Sequence, residues 1–447
     1  QIPMSSPEVV CPDRSTIAQL DRNRLPCSKQ VRQEIGEAMT ADRVNGDRLW
    51  SRLMAMAEIG PGVAGGSNRQ ALSDNDKEGR DLFMSWAADA GCTFEFDEIG
   101  NLFATRAGTN PDLPPVMTGS HLDTQPTGGR FDGVYGVLGG LEVIETLNDL
   151  GVTTEAPLEI VVWTNEEGSR FQPSMMGSAV WGGALPLEQA LKHQDFDGVS
   201  VGEELVRLGW DGDLPARPRP YTAAFELHIE QGPILEADQV DIGIVTAVQG
   251  FRWYTVELGG HPAHAGPTPM DVRKDPARAL GDILGGVYAL ANEHAPWARA
   301  TFAQFRSEPI SPNTIPEKIT FSLDMRNPDG NTLMAMDTAM RDIVSAQVER
   351  HGVTTAIHVD TDSPPVKFHD DCIAAVEASV EALGFSHQRM VSGAGHDACY
   401  VAAHYPTSMI FVPCDEGLSH NEAENISIEQ AEQGASVLLG AVRHMAG

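Results

Sequence analysis

His121, Asp123 and Asp132 fall in one stretch, Gly119 to Gly133, that reads GSHLDTQPTGGRFDG. A run from Pro115 to Thr118 leads into it, and Val134 to Leu138 opens a helix-like pattern after it. The reading is that His121 and Asp123 sit where a buried strand ends and Asp132 sits just before a helix. Strand ends of this kind are where α/β proteins build sites. On an extended chain residues two apart share a face, which suits an imidazole held by a neighbouring carboxylate. Three further segments repeat the pattern. The apolar run Leu158–Trp163 ends in Thr164-Asn165-Glu166-Glu167-Gly168, the run Ala223–Ile229 ends in Glu226-Leu227-His228-Ile229-Glu230-Gln231-Gly232, and Gly417-Leu418-Ser419-His420-Asn421-Glu422 holds another histidine. Three imidazoles with two or more carboxylates suit borderline divalent ions such as Zn, Mn, Co or Ni. Two ions sharing one carboxylate need about five protein ligands, and this set can supply them. Adjacent glutamates make sense if one binds metal while the other moves a proton from water to a leaving amine. Taken singly, each histidine reads as an ordinary core or surface residue and the Glu pair as a solvated helix start. Four such segments at strand or loop ends in one chain do not.

The elements that must position these groups follow from hydrophobic spacing. Four prolines break residues 1–35, which read as a weakly ordered arm. A helix is expected near 41–59 with Leu49, Leu53 and Met56 inward. Ser73 with Asp76 resembles a capping box opening a second helix, whose expected core face is Leu82, Phe83, Trp86 and Ala90. A hairpin follows through Phe94, Phe96 and Leu102 to Arg106. Leu158–Trp163 reads as a strand buried on both faces. From about residue 249 the order becomes strand (250–259), helix (275–293), strand (300–307), strand (318–325), helix (331–349), strand (354–361), which is the ferredoxin-like order. Helix (371–384) and strand (407–412) then resume the earlier style. The expected fold class is an α/β domain with a mixed sheet (36–248 and 364–447), interrupted by a ferredoxin-like α+β insert (249–363).

Composition narrows the partners. The 447 residues carry 31 Lys+Arg against 63 Asp+Glu, a net charge of −32, which argues against nucleic acid and anionic membrane surfaces. No apolar run of about 18 residues suggests a membrane span, and no signal peptide is visible. The six cysteines are scattered, without a CxxC pair, and read as free thiols of a reducing, cytoplasmic compartment.

The motifs GSHLDTQPTGGRFDGVYGVLGG, TNEEGSRF, ELHIEQGP, GHPAHAGPTPM, SPNTIP with DMR, SGAGHDA and GLSHNEAE, in this order from about residue 40 to the end, resemble the N-carbamoyl-L-amino-acid hydrolase, β-ureidopropionase and allantoate amidohydrolase group of dinuclear metallohydrolases. The resemblance implies a metal-dependent amidohydrolase acting on a small ureido substrate, with the insert serving as lid and dimerisation domain of a homodimer. It implies that His121, Asp132, Glu167, His228 and His420 hold two divalent ions (Mn, Co, Ni or Zn), Asp132 bridging. Asp123 is implied to orient His121, and Glu166 to act as general base and then acid. Gln231, Asn313, Arg326 and the backbone of Gly393, Ala394 and Gly395 are implied substrate contacts. His264 is implied to stabilise the oxyanion from the partner subunit. Arg suits a substrate carboxylate bidentately. Allantoate or ureidoglycolate is the alternative substrate, and an aminoacylase or peptidase the second alternative. His228 stands where peptidase relatives carry an acid, which argues against the latter. A metal-binding scaffold without activity has no need of the free carboxylate at Glu166.

Overall fold

The computed structural model describes residues 41–447. The expected arm at 1–35, with Cys11 and Cys27, lies outside the described residues. In chain order the main elements are α1 (Gly46–Ala57), α2 (Asp74–Asp89), β1 (Thr93–Phe96), β2 (Leu102–Arg106), β3 (Val116–His121), α3 (Val134–Asp149), β4 (Leu158–Trp163), β5 (Ala223–Ile229) and β6 (Ile242–Val248). The insert follows as β7 (Gly250–Gly259), α4 (Pro276–Glu293), β8 (Arg299–Glu308), β9 (Lys318–Asn327), α5 (Gly330–His351) and β10 (Thr354–Ser363). Then come α6 (Asp370–Leu383), β11 (His387–Ser392), β12 (Thr407–Val412) and α7 (Ile428–Ala446).

The chain divides into two compact units, one running to Thr246 and resuming at Phe368–Gly447, the other Ala247–Lys367. These divisions fall a few residues outside 249 and 363 on both sides. The reason is that the two connections pair with each other, Val366 opposite Val248 and Lys367 opposite Ala247.

The larger unit is built on a mixed sheet with the order β1-β2-β4-β3-β5-β12-β6, and β11 also pairs with β6. Its centre, β4-β3-β5-β12, is parallel. All residues of β3, β4, β5 and β12 are buried, as strands covered on both faces must be. One side is covered by α3, α6 and α7, with α1 packed on α3 and α7. On this sheet Phe103, Met117, Val161, Trp163 and Ala224 join Trp181 and Val401 in an aromatic-rich cluster. The short helix Met176–Trp181, β6, β11 and α7 were not expected from spacing.

The smaller unit has the strand order β10-β7-β9-β8, all antiparallel. With its two helices it is the ferredoxin-like arrangement, and Tyr254, Val256, Leu258, Ile283, Val287, Phe321, Leu323, Met336 and Met340 fill its own core.

Helix α2 differs from its expected face. Gly79, Arg80, Phe83 and Ala87 are buried, while Leu82, Trp86 and Ala90 are only half-buried. Arg80 takes the inward place because its charge is met there. Its guanidinium reaches Asp76 at 3.3 Å, Gly100 O at 2.8 Å and Thr164 Oγ1 at 3.3 Å. The Ser73 cap forms, but the Asp76 carboxylate accepts the N–H of Leu72 rather than closing the box on Ser73.

A second arginine, Arg69, is wholly buried, and no carboxylate lies within ion-pair distance of it among the described residues. Burial holds its pKa down at about 10. Its guanidinium donates to the carbonyls of Leu122 (2.8 Å), Met56 (3.0 Å) and Ile59 (2.9 Å), bracing the chain between His121 and Asp123. Arg69→Met keeps the stem but leaves buried carbonyls without donors, a loss of roughly 1–3 kcal/mol for each such group. Relief of the buried charge offsets part of this. Denaturant unfolding is expected to show a net loss of about 2–3 kcal/mol with an unchanged m-value.

Candidate metal centre and active site

The carboxyl ends of the four central parallel strands meet at one place, and each brings a titratable side chain there. His121 is the last residue of β3, in register with Trp163 at the end of β4. Glu166 and Glu167 follow β4 directly, on a turn where Asn165 and Gly168 take positive φ of 54° and 64°. His228 is the penultimate residue of β5, opposite Phe411 of β12. His420 comes from the loop after β12, with φ 52°. Asp132 precedes α3, whose N-cap Gly133 has φ 68°.

Asp132 is the hub. Its Oδ1 lies 3.1 Å from His228 Nε2 and 3.8 Å from His121 Nε2. Its Oδ2 lies 3.4 Å from His420 Nε2, which is itself 3.3 Å from Glu167 Oε2. Two three-residue ligand sets result, His121–Asp132–His228 and Asp132–Glu167–His420, each with its donor atoms within 4.8 Å of one another. Asp132 belongs to both. A third set, Glu226–His228–His396, overlaps the first through His228.

Neighbouring groups orient these ligands. His121 Nδ1 faces the backbone carbonyl of Asp123 at 2.9 Å, and His228 Nδ1 faces that of Ile229 at 2.9 Å, so each ring turns Nε2 inward. The Asp123 carboxylate plays a different part from the expected one. It lies 3.9 Å from His121 Nδ1 and instead accepts the N–H of Glu166 (3.2 Å) and of Glu167 (3.1 Å). The imidazole is oriented by the peptide oxygen, and the carboxylate fixes the Glu-Glu turn. Gln125 holds Glu167 through its own N–H (3.0 Å) and its Nε2 (2.7 Å). Glu166 Oε2 lies 3.5 Å from His121 Nε2 and makes no comparable anchor of its own.

The electrostatics of the site are dominated by buried acid. Burial, followed by repulsion from Asp397 and Glu167, pushes Glu166 well above the usual carboxylate range. Burial and Asp132 push Glu167 up to about 8. Burial and Glu226 push Asp397 well up. Burial works against the charge of Asp132, yet hydrogen bonds with His228 and His420 hold it well below the usual range. Burial opposes, but hydrogen bonding to Asp132 carries His228 up to about 9, and a separate hydrogen bond to the other Asp132 oxygen raises His420 to about 9. Burial holds His121 down at about 4. No lysine or arginine pairs with Asp132, Glu166 or Glu167 among the described residues; only histidines do. Ionising this many buried carboxyl groups together, with only imidazoles to meet them, is unfavourable. The donor set therefore fits divalent cations.

Gln231 sits beside the hub with φ 55°, its Nε2 2.9 Å from Asp132 Oδ2, while its Oε1 is buried without a partner. Asp397 Oδ2 is likewise buried and unpartnered, its other oxygen accepting from Ser178. Gly393, Ala394 and Gly395 lie between β11 and the helix Ala398–Ala402, and Ser392 Oγ ties the Ala394 N–H (3.1 Å) to His396 Nε2 (2.9 Å). His264, Asn313 and Arg326 belong to the smaller unit. His264 and Asn313 come together there: Thr314 pairs with His264, and Ala265 N donates to Asn313 O at 2.8 Å. Arg326 donates to Asp324 at 2.8 Å, its guanidinium over the Phe251 ring.

Residues 117–444 match the model of peptidase family M20/M25/M40. The N-carbamoyl-L-amino-acid amidohydrolase of Rhizobium meliloti is 50% identical over 400 residues, covering 90% of this chain and 96% of that protein. The chain belongs to the M20 family. The crystal structure of a hydantoinase/carbamoylase family amidase from Burkholderia multivorans superposes on this M20 chain with a TM-score of 0.88 at 51% identity, over 91% of this chain and 99% of the other. An allantoate amidohydrolase of Bacillus subtilis stands further off, 33% identical over 86% of this chain and 93% of its own length.

Spacing did not single out several residues that shape the site of this M20 protein. Gln125 and Glu424 are polar residues in loops, Ser419 precedes a noted histidine, and Gly133 follows Asp132. What gives them their place is contact with chain segments distant in sequence, which a loop sequence does not display.

Proposed function

We propose that this protein is a metal-dependent amidohydrolase that cleaves the carbamoyl C–N bond of N-carbamoyl-L-amino acids. Water adds to the carbamoyl carbon, the bond to the amino acid nitrogen breaks, and the carbamic acid released falls apart to CO2 and ammonia. The observation that carries the reading is the sharing of Asp132 by two complete ligand sets at the strand ends. The 50% identity to a protein of that activity supports it.

His121, Asp132 and His228 would hold one ion, and Asp132, Glu167 and His420 a second, of Mn, Co, Ni or Zn. Bound there, such ions make a water acidic and polarise a carbonyl. Glu166 is held at its backbone but is free at its carboxylate tip. It takes the proton of the attacking water and returns it to the leaving nitrogen. Its raised pKa in the metal-free chain arises from burial and its acidic neighbours. The unpartnered Gln231 Oε1 is left to accept a substrate N–H. Asn313 and Arg326 bind the substrate carboxylate in this proposal, and His264 of a second subunit stabilises the oxyanion, with the insert as lid and dimer contact. No helix among the described residues is long and apolar enough to cross a membrane. The free thiols of Cys92, Cys372, Cys399 and Cys414 support a cytoplasmic location.

Protein loaded with each metal is tested on N-carbamoyl-L-methionine, β-ureidopropionate, allantoate and N-acetyl-L-methionine. Ammonia release is expected from a carbamoyl compound foremost. Turnover of the acetyl compound alone, followed as acetate, would sink the proposal.

A further inference from the structure

The loop that carries Asp132 is held from behind by a carboxylate that belongs to neither ligand set. Glu424 is buried, and its Oε1 accepts the backbone N–H groups of Phe131 and Asp132, each at 3.0 Å. Its Oε2 lies 3.1 Å from Ser419 Oγ, and that hydroxyl lies 3.0 Å from Asp132 Oδ2. Gln231 Nε2 donates to the same Oδ2 at 2.9 Å and lies 3.1 Å from Ser419 Oγ. Both ends of Asp132 thus face Glu424, the peptide directly and the side chain across one hydroxyl, whose single proton serves one of the two carboxylates at a time. The packing around it is close. A Cβ on Gly129 would overlap the Glu424 carboxyl group.

Glu424 stands on the loop that also presents His420. That loop is fastened in turn by Glu422, whose Oε2 accepts the N–H groups of Ala64 (2.5 Å) and Gly66 (3.2 Å). One short segment therefore supplies a histidine of the second ligand set and the carboxylate that sets the residue common to both. Asp132 has to present its two oxygens in opposite directions, to His228 on one side and His420 on the other. A carboxylate shared in this way tolerates little rotation, and a partner outside the ligand set is the means of preventing it.

We propose that Glu424 is a positioning residue of the metal centre, fixing the Asp132 carboxylate so that it serves both ligand sets at once. The inference rests on the metal-centre reading above. Glu424 itself touches neither substrate nor ion.

The test is metal titration of the chelator-stripped full chain, read by calorimetry and by the visible spectrum of bound Co(II), beside the thermal midpoint of the metal-free protein. Glu424→Ala is expected to weaken metal binding by about 10–100-fold, the range for partners one step outside a metal's ligands. Glu424→Gln is expected to keep most of the affinity. Its Oε1 still meets the two N–H groups, and its Nε2 can donate to Ser419 Oγ, leaving the hydroxyl proton for Asp132. Gly129→Ala displaces the carboxyl group without deleting it, so it should also weaken binding. Adding Glu424→Ala to it should then cost little more, because both changes break the same links. If Glu424→Ala does not fold, Gly129→Ala and Glu424→Gln decide the matter. Parental affinity in Gly129→Ala, or equal losses in the Ala and Gln variants, overturns the inference. So does a fall in the metal-free midpoint with affinity intact. A parent chain that takes up no ion would instead overturn the metal-centre reading itself, which separates the two failures.

Discussion

Glu166→Gln is expected to lower kcat by about 10²–10⁴-fold while metal content and KM stay close to the parent values. The substitution is nearly isosteric, and the backbone of Glu166 is held by Asp123 whatever the side chain. What is lost is a basic oxygen. Glutamine can still accept a hydrogen bond from water, but it cannot take the proton and pass it on. The neighbouring Glu167 cannot substitute, because Gln125 and His420 engage its carboxylate. Steady-state ammonia release, with metal analysis of the same preparation, checks the outcome. Turnover near that of the parent, with the ions in place, would remove Glu166 from the role assigned to it.

Gly133→Ala is the second large effect, and it needs no change to any ligand. At φ 68° and ψ −47°, outside even the left-handed helical well, an L side chain is strained. The more serious consequence is steric, for a Cβ there would overlap the imidazole ring of His121. His121 is buried, so its ring can move aside only by leaving its place beside Asp132. The expected result is a loss of metal affinity of about 100-fold, comparable to losing an orienting partner, and a parallel fall in kcat/KM at limiting metal. Excess metal should recover only part of the activity, because the ring remains displaced. Affinity and turnover both at parental levels would show that the helix start can shift aside.

The sequence shows the convergence of His121, Asp132, Glu166, Glu167, His228 and His420 better than the roles of the oxygens around them. Strand ends can be read from apolar runs that stop at polar residues, and parallel strands deliver their ends to one edge. Which atom orients which is decided by turns of the backbone. Asp123 is the example: spacing puts its carboxylate beside His121, but the peptide oxygen arrives first and leaves the carboxylate for the Glu-Glu turn. Helix α2 misleads for a related reason. Arg80 has the composition of a surface residue and becomes a core residue because carbonyls and Asp76 meet its charge. The β-α-β-β-α-β order of the insert is legible because β9 alternates cleanly along its whole length and β7 along most of its own. Strand β6 is apolar and runs almost directly into β7, so its own start and pairing are not separated from the insert that follows. Glu424 is invisible to spacing, since its partners are backbone groups nearly 300 residues away.

The place of β12 has a consequence for biosynthesis. It is the last strand in the sequence, yet it lies between β5 and β6 in the middle of the sheet. Until it leaves the ribosome nothing joins β5 to β6, and His420 and Glu424, which follow it in the chain, are not yet outside. The insert, by contrast, has all four of its main strands and both helices within Ala247–Lys367 and its own apolar core. Domains close as units during synthesis. The guest unit is thus complete while its host is still waiting for its central strand. A chain that stopped short of His420 could not assemble the second candidate ligand set, Asp132–Glu167–His420.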